Sequence, residues 1–432
     1  MNYFFILGRN ADISVAEIFS VLQSLSVQPH DVVVSRDALV LNTASELPLS
    51  QLQARLGGTI KTGVVLEDTL ALQKIGSSEQ MLSEIFLRLL SNHNGRLTLG
   101  LSAYTLSQET KKVIGGALTS KTLKSLGLKI KRLLRDQEYS VRFVAAEREP
   151  FLSSVQVSKN GLLEDKGKEL VFFVDGSRVR IGVTHITQEF EEYSFRDWQR
   201  PHRGMDIGIL PPKLAQIMLN LTRLSPQDAP TLLDPFCGFG SILQEALLMG
   251  YSNVFGSDLK EENVQMARNN ISWLMSKKGL SYNIKNISVC DATQLGTLYK
   301  KASINAIITE PFLGPVVTRD FKGSLKKISD DLSTLYLRFF SESKSILVPQ
   351  GVVSCVFPAW QVRHRRIRLG RKKHDYLFLP ILEKIEQLGF KNVTLLPEYE
   401  PLVSRATPRK TLLYSRPEQH VARELIVFQK TS

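Results

Sequence analysis

Short apolar runs alternate with stretches of helical apolar period along nearly the whole chain, and the alternation predicts two kinds of module. Residues 3–7 read as a strand, followed by a turn at Gly8-Arg9-Asn10 and a helix over about 15–25. Strands at 32–34 and 38–41 and a helix near 49–56 complete a small α/β or α+β module over 1–65. Residues 66–189 keep that density, with helices at 78–92 and 121–135 and strands at 96–101, 140–144, 155–157, 170–174 and 178–183. Residues 190–205 are polar and aromatic without regular period, and read as a linker. Beyond them, 206–432 alternate in βα fashion. Strands are expected at 231–234, 253–258, 286–290, 304–309, 351–357, 393–396 and 424–429. Helices are expected at 211–222, 241–249, 261–276, 330–347 and 378–388. Such alternation predicts a mostly parallel sheet with helices on both faces, so the fold class is α/β.

Composition narrows the picture. At 432 residues, with 43% hydrophobic and 22% charged, the chain has room for two or three domains with ordinary cores. No apolar stretch approaches the roughly 20 residues that span a bilayer, and the opening strand has no basic stretch before it, which reads against a membrane protein or a secretory signal. Three cysteines, Cys237, Cys290 and Cys355, are too few and too scattered for a disulfide framework or a zinc site. A net charge of +13 points toward a polyanionic partner.

The chemistry concentrates at the ends of the expected strands. Residues 231–234 close on Asp234, and the turn Pro235-Phe236-Cys237-Gly238-Phe239-Gly240 leads into a helix. Strand, glycine turn and helix form the layout in which a nucleotide-like cofactor lies against bare backbone. The spacing is not that of dinucleotide binders and offers no Lys-Ser/Thr pair for phosphate, so a methionine-derived sulfonium cofactor suits it better. Asp258 ends the second strand, where a carboxylate accepts from ribose hydroxyls; an aspartate there also caps a following helix, and Leu259 stands beside it. Asp291 and Ala292 end the third strand, positioned for the adenine amino group or for a simple turn. The fourth strand runs into Thr309-Glu310-Pro311-Phe312. Pro311 stiffens that turn, Phe312 offers a face on which a base can stack, and an oxygen acceptor before them can grip the N–H bonds of an exocyclic amine. Such a grip localises the amine lone pair and aims it at a methyl donor.

Taken in order, these pieces resemble a Rossmann-like, S-adenosylmethionine-dependent methyltransferase of the amino-methylating class, whose turn is Asp/Asn-Pro-Pro-Tyr/Phe. The whole chain is similar to the THUMP-domain tRNA guanine-N2 methyltransferases. The stretch Phe5-Ile6-Leu7-Gly8-Arg9-Asn10 with Ser14-Val15-Ala16-Glu17 resembles that family's opening, and Arg200-Pro201 and Leu210-Pro211-Pro212-Lys213-Leu214-Ala215 its approach to the catalytic domain. The resemblance implies a ferredoxin-like module at 1–65, a THUMP RNA-binding domain at 66–189 and a methyltransferase domain at 206–432. It implies S-adenosyl-L-methionine as cofactor, held by Asp234, Phe236, Cys237, Gly238, Gly240, Asp258, Leu259, Asp291 and Ala292, with Cys237 in packing and not as a nucleophile. It implies Thr309, Glu310, Pro311 and Phe312 as the catalytic turn, a tRNA partner, cytoplasmic location and methylation of a guanine N2 amine at tRNA position ten. An activating protein subunit is left open. The turn departs from the family pattern. Keeping Pro311 with Phe312 puts Thr309 on the family's Asp; sliding one place puts Glu310 there instead. The alternatives are the same chemistry on ribosomal RNA or another base amine, or an RNA-binding protein whose catalysis has decayed.

Two basic stretches fit the RNA reading. Lys121, Lys124, Lys131 and Arg132 lie on the expected helix 121–135 opposite Leu123, Leu126 and Ile130. Arg363, Arg365, Arg366, Arg368, Arg371, Lys372 and Lys373 put seven cations into eleven residues, suited to gripping backbone phosphates more than to reading bases.

Overall fold

In the computed structural model the described residues are 1–90, 94–106, 118–203, 209–315, 323–362, 375–397, 407–416 and 420–431. They form two compact units: Met1–Val15 with Ser26–Glu191, and Ala16–Leu25 with Glu192–Ser432.

The first unit is built on one sheet of eight strands: β1 (Asn2–Leu7), β2 (Pro29–Val34), β3 (Ala38–Thr43), β4 (Thr59–Ala71), β5 (Arg96–Thr105), β6 (Ser140–Val144), β7 (Gly167–Asp175) and β8 (Arg178–Thr187). Their spatial order is β2-β3-β1-β4-β8-β7-β5-β6, and only the pairs of β5 with β6 and β7 are parallel. The unit's helices are α1 (Ala11–Ser24, which crosses the division), α2 (Leu49–Arg55), α3 (Glu79–Leu89), α4 (Ser120–Asp136) and α5 (Ser154–Lys159). Leu82 and Phe86 of α3 and Leu123, Leu126, Ile130 and Leu134 of α4 pack in one cluster with Leu99, Phe172 and Ile181 of the sheet. A second cluster joins Phe4, Val40, Tyr104 and Phe173.

Two sequence expectations change here. The strand expected at 155–157 is part of helix α5, because Ser153 and Gln156 form a reciprocal capping box: Gln156 N donates to Ser153 Oγ (3.2 Å) and Ser153 N to Gln156 Oε1 (2.9 Å). Strand β4 was not expected at all, and it runs across the 65/66 division. Its start is polar, yet buried on both faces between β1 and β8. Lys61 can lie there because Glu169 of β7 receives it at 2.6 Å, with both side chains fully buried. Ser102 and Thr184 donate to the same carboxylate at 2.5 and 2.6 Å, the satisfaction that a buried charge needs.

In the second unit, β9 (Thr231–Asp234), β10 (Asn253–Asp258), β11 (Ile287–Val289), β12 (Ile304–Thr309) and β13 (Leu347–Val362) are parallel. Among them lie α7 (Pro212–Asn220), α8 (Ser241–Leu248), α9 (Glu261–Lys278) and α10 (Leu325–Ile346); α6 (Phe190–Trp198) precedes them, within the stretch expected to be an irregular linker. The order is β11-β10-β9-β12-β13-β17-β15, where β15 is Phe390–Asn392 and β17 (Val421–Lys430) runs antiparallel to β13. The short strands β14 (Asp375–Phe378) and β16 (Leu412–Tyr414) pair with β13 and β17, and α11 (Leu382–Gln387) precedes β15. The strand expected at 393–396 lies instead at β15.

The chain steps from β9 to β10 in one direction and from β12 to β13 in the other. Right-handed crossovers therefore put α8 and α9 on one face of the sheet and α10 on the other. The order reverses between β9 and β12, and open α/β sheets bind ligands at the carboxyl ends of strands flanking such a reversal. No helix among the described residues is long and apolar enough to cross a membrane.

Candidate active site at the sheet reversal

The glycine loop hangs on backbone contacts. Cys237 N donates to Ser257 O (2.9 Å), Gly240 N to Cys237 O (2.7 Å), and Gly238 N to Asp258 Oδ2 (3.0 Å). Gly238 and Gly240 have φ of +48° and +79°, a region that side chains disfavour. A Cβ on Gly240 would also stand 3.4 Å from that of Ala267. Asp258 thus clasps the loop with one oxygen. With the other it accepts from Lys260 N (3.0 Å) and Asn263 Nδ2 (2.9 Å), an Asx turn ahead of α9, whose N-cap is Lys260. Next to it Leu259 is 67% exposed, an apolar side chain left bare at the strand end. Asp291 Oδ1 accepts from Thr293 N and Oγ1, both at 2.8 Å, while Ala292 is buried. Phe236 packs edge-on to Phe339 of α10 at 5.4 Å. Cys237 is buried, and burial pushes its thiol well above the usual range.

Across the reversal, Thr309 and Glu310 part ways. Thr309 is fully buried, and its hydroxyl donates to Asp234 Oδ1 at 2.7 Å. Burial raises the Asp234 carboxyl to about 7; the bonds from Thr309 and Phe236 N oppose that rise, and the charges of Asp258 and Glu310 add to it. Glu310 turns the other way and takes the Arg423 guanidinium side-on, Nε to Oε1 at 2.5 Å and Nη2 to Oε2 at 3.3 Å. Pro311 is buried, whereas Phe312 is 58% exposed. The Phe312 carbonyl accepts from Tyr336 Oη at 2.8 Å. Tyr336 stacks on Phe357 at 5.0 Å, and burial holds its phenol far above the usual range, so it stays a donor. Phe312, Gly314, Lys327, Ile328, Asp331 and Leu332 line a cleft of about 290 Å³ beside the turn.

The sequence reading missed a strap over this loop. Arg196 of α6 donates to buried Glu245 of α8 at 2.7 Å, and Arg200 to Ser241 Oγ at 2.9 Å. Asn270 of α9, fully buried, accepts from His202 N (2.9 Å) and donates to His202 O (3.1 Å) and Phe239 O (2.9 Å). Residues 196–202 are thereby sewn to the cofactor-type loop and the helix after it. The available signal was the polar Glu245 and Asn270 on otherwise apolar helix faces. Tyr336 and Arg423 gave no local sign.

Of the basic residues, Lys121, Lys124 and Arg132 of α4 are exposed and Lys131 is half-buried. Lys129 bonds Gly76 O at 2.8 Å. The run from Arg363 to Lys373 lies outside the described residues.

Residues 200–372 match the family described as UPF0020, the RMKL-like methyltransferase domain. Over 140 residues the chain is 31% identical to a protein of Methanothermococcus thermolithotrophicus named probable tRNA (guanine(10)-N2)-dimethyltransferase, covering 31% of this chain and 81% of that one. The chain belongs to the family of that Methanothermococcus protein. It is also 30% identical over 187 residues to the tRNA (guanine(10)-N2)-dimethyltransferase of Pyrococcus abyssi, 43% of this chain and 49% of the relative, so it spans about half of that protein's length. The fold is shared with TrmN of Thermus thermophilus (TM-score 0.50, 15% identity, 100% of both chains) and with a possible methylase of Clostridium difficile 630 (TM-score 0.50, 11% identity, 99% and 97%). The expectation of an α/β methyltransferase fold is borne out.

Proposed function

We propose that this chain is an S-adenosylmethionine-dependent methyltransferase that modifies the N2 amine of a guanine in tRNA, at position ten, in the cytoplasm. The observation that carries the reading is the meeting of the glycine loop, Asp258 and the Phe312 turn at one sheet reversal. The loop fits the cofactor: two glycines at positive φ leave bare backbone, Asp258 Oδ2 keeps one lone pair beyond that taken by Gly238 N, and Leu259 is exposed beside it. Asp258 and Asp291 would hold the ribose and the adenine. When bound, the cofactor would supply an electrophilic sulfonium methyl, which the amine would take up with loss of a proton to solvent. The chain's residues position and stabilise; Phe312 offers a stacking face, and the target guanine would leave its stack to reach it. Residues 1–65 and 66–189 would serve as ferredoxin-like and THUMP modules that hold tRNA, with α4 and the Arg363–Lys373 run contacting phosphates.

Incubation with S-adenosylmethionine and separate unmodified tRNA and ribosomal RNA, followed by nucleoside mass spectrometry, tests this. N2-methylated guanosine is expected in the tRNA alone; its absence there, or methylation confined to ribosomal RNA, overturns the reading.

A further inference from the structure

We propose that Glu310 is the residue that grips the target amine and that Arg423 is its positioning residue; this rests on the function proposed above. Thr309 is not placed to serve, since its hydroxyl is wholly buried and committed to Asp234. Glu310 lies one residue further, is partly exposed, and would bring a carboxylate to where the attacking nitrogen becomes positive. A carboxylate there stabilises that charge more than a hydroxyl does.

The topology explains how Arg423 reaches it. The parallel strands end together at the reversal, and β17 alone of the long strands runs back against them, so its first residues arrive at the same edge. Thr309 is level with Cys355 of β13, and Pro358, three residues on, faces Arg423. Arg423 therefore stands just beyond the end of β12. Its Nε and Nη2 hold one carboxylate oxygen each, fixing the plane of Glu310 while a lone pair on each oxygen stays available. The pair is 7% and 14% exposed. A buried ion pair of this kind is a weak source of stability and a strong source of orientation. The charge of Glu310 also acts on Asp234 of β9 and Tyr336 of α10, and Tyr414 of β16 acts on Arg423.

The test is single-turnover methyl transfer to tRNA by the full chain, with cofactor affinity by calorimetry and tRNA affinity by filter binding. Glu310→Gln is expected to lower the rate about 100-fold, as loss of one electrostatic stabiliser does, with both affinities changed less than about threefold. Arg423→Ala is expected to lose about 30-fold and Arg423→Lys, which keeps charge but not the fork, about tenfold. Added guanidinium should restore Arg423→Ala about tenfold yet leave the Glu310→Gln/Arg423→Ala double variant unmoved, a rescue that a purely structural role would not produce. If Arg423→Ala does not fold, the Arg423→Lys loss decides. A rate within about threefold of the unmodified chain for Glu310→Gln or Arg423→Lys overturns the assignment. If the unmodified chain itself transfers no methyl to tRNA, the functional reading falls and takes the assignment with it.

Discussion

The Thr309 hydroxyl donates to Asp234 Oδ1 across 2.7 Å, joining the carboxyl ends of two neighbouring parallel strands, β12 and β9, at the point where strand order reverses. Asp234 is thereby a buried acid with few donors, and its carboxyl titrates near 7. The folded state holds a proton there that the unfolded chain, with a pKa of about 4, releases. The group's contribution to stability is thus present at low pH and is lost as pH rises from about 4 through about 7. Asp234→Asn, which keeps an acceptor for Thr309 and Phe236 N, is expected to gain stability relative to the unmodified chain across that window. Urea unfolding at a series of pH values checks this; a difference between the two that does not change with pH would contradict it.

Tyr336→Phe removes the donor to the Phe312 carbonyl while leaving the stack on Phe357. The expected cost is about 1 kcal/mol in unfolding free energy. Methyl transfer should slow several-fold with cofactor affinity unchanged, because only the turn is loosened. Equal loss of affinity and rate would place Tyr336 in the cofactor's site instead.

Asn270→Ala deletes three hydrogen bonds that tie His202 to the glycine loop. Leaving the half-buried Phe239 and His202 backbone groups without these partners should cost about 1–3 kcal/mol. Calorimetry should show cofactor affinity reduced about tenfold, since the loop loses its preorganisation. Unchanged affinity would confine the strap to a packing role.

Replacing Lys121, Lys124 and Arg132 together by alanine should weaken tRNA binding about tenfold and flatten the slope of log affinity against log salt by one to three. Cofactor affinity should not move. A salt slope equal to that of the unmodified chain would show that α4 is a solvated face.

Strands β9, β10 and β12 were legible to the residue because each is a short apolar run stopped by a polar group with a job at its end: Asp234, Asp258 and Thr309. The glycine loop was legible for the same local reason. Strand β4 was not, because Lys61 in its buried half is tolerable only through Glu169, 108 residues away. Helix α5 was misread since Val155 and Val157 suit a strand, and the capping box between Ser153 and Gln156 outweighed that preference. The division of labour between Thr309 and Glu310 was invisible in the turn itself. It is set by Asp234, 75 residues before Thr309, and by Arg423, 113 residues after Glu310.

The most direct test of the central claim uses two tRNA transcripts that differ only at position ten, one with guanosine and one with inosine, which lacks the 2-amine. Transfer of labelled methyl from S-adenosylmethionine is expected to the guanosine transcript and not to the inosine one. Equal labelling of both would show that the N2 amine at that position is not the target.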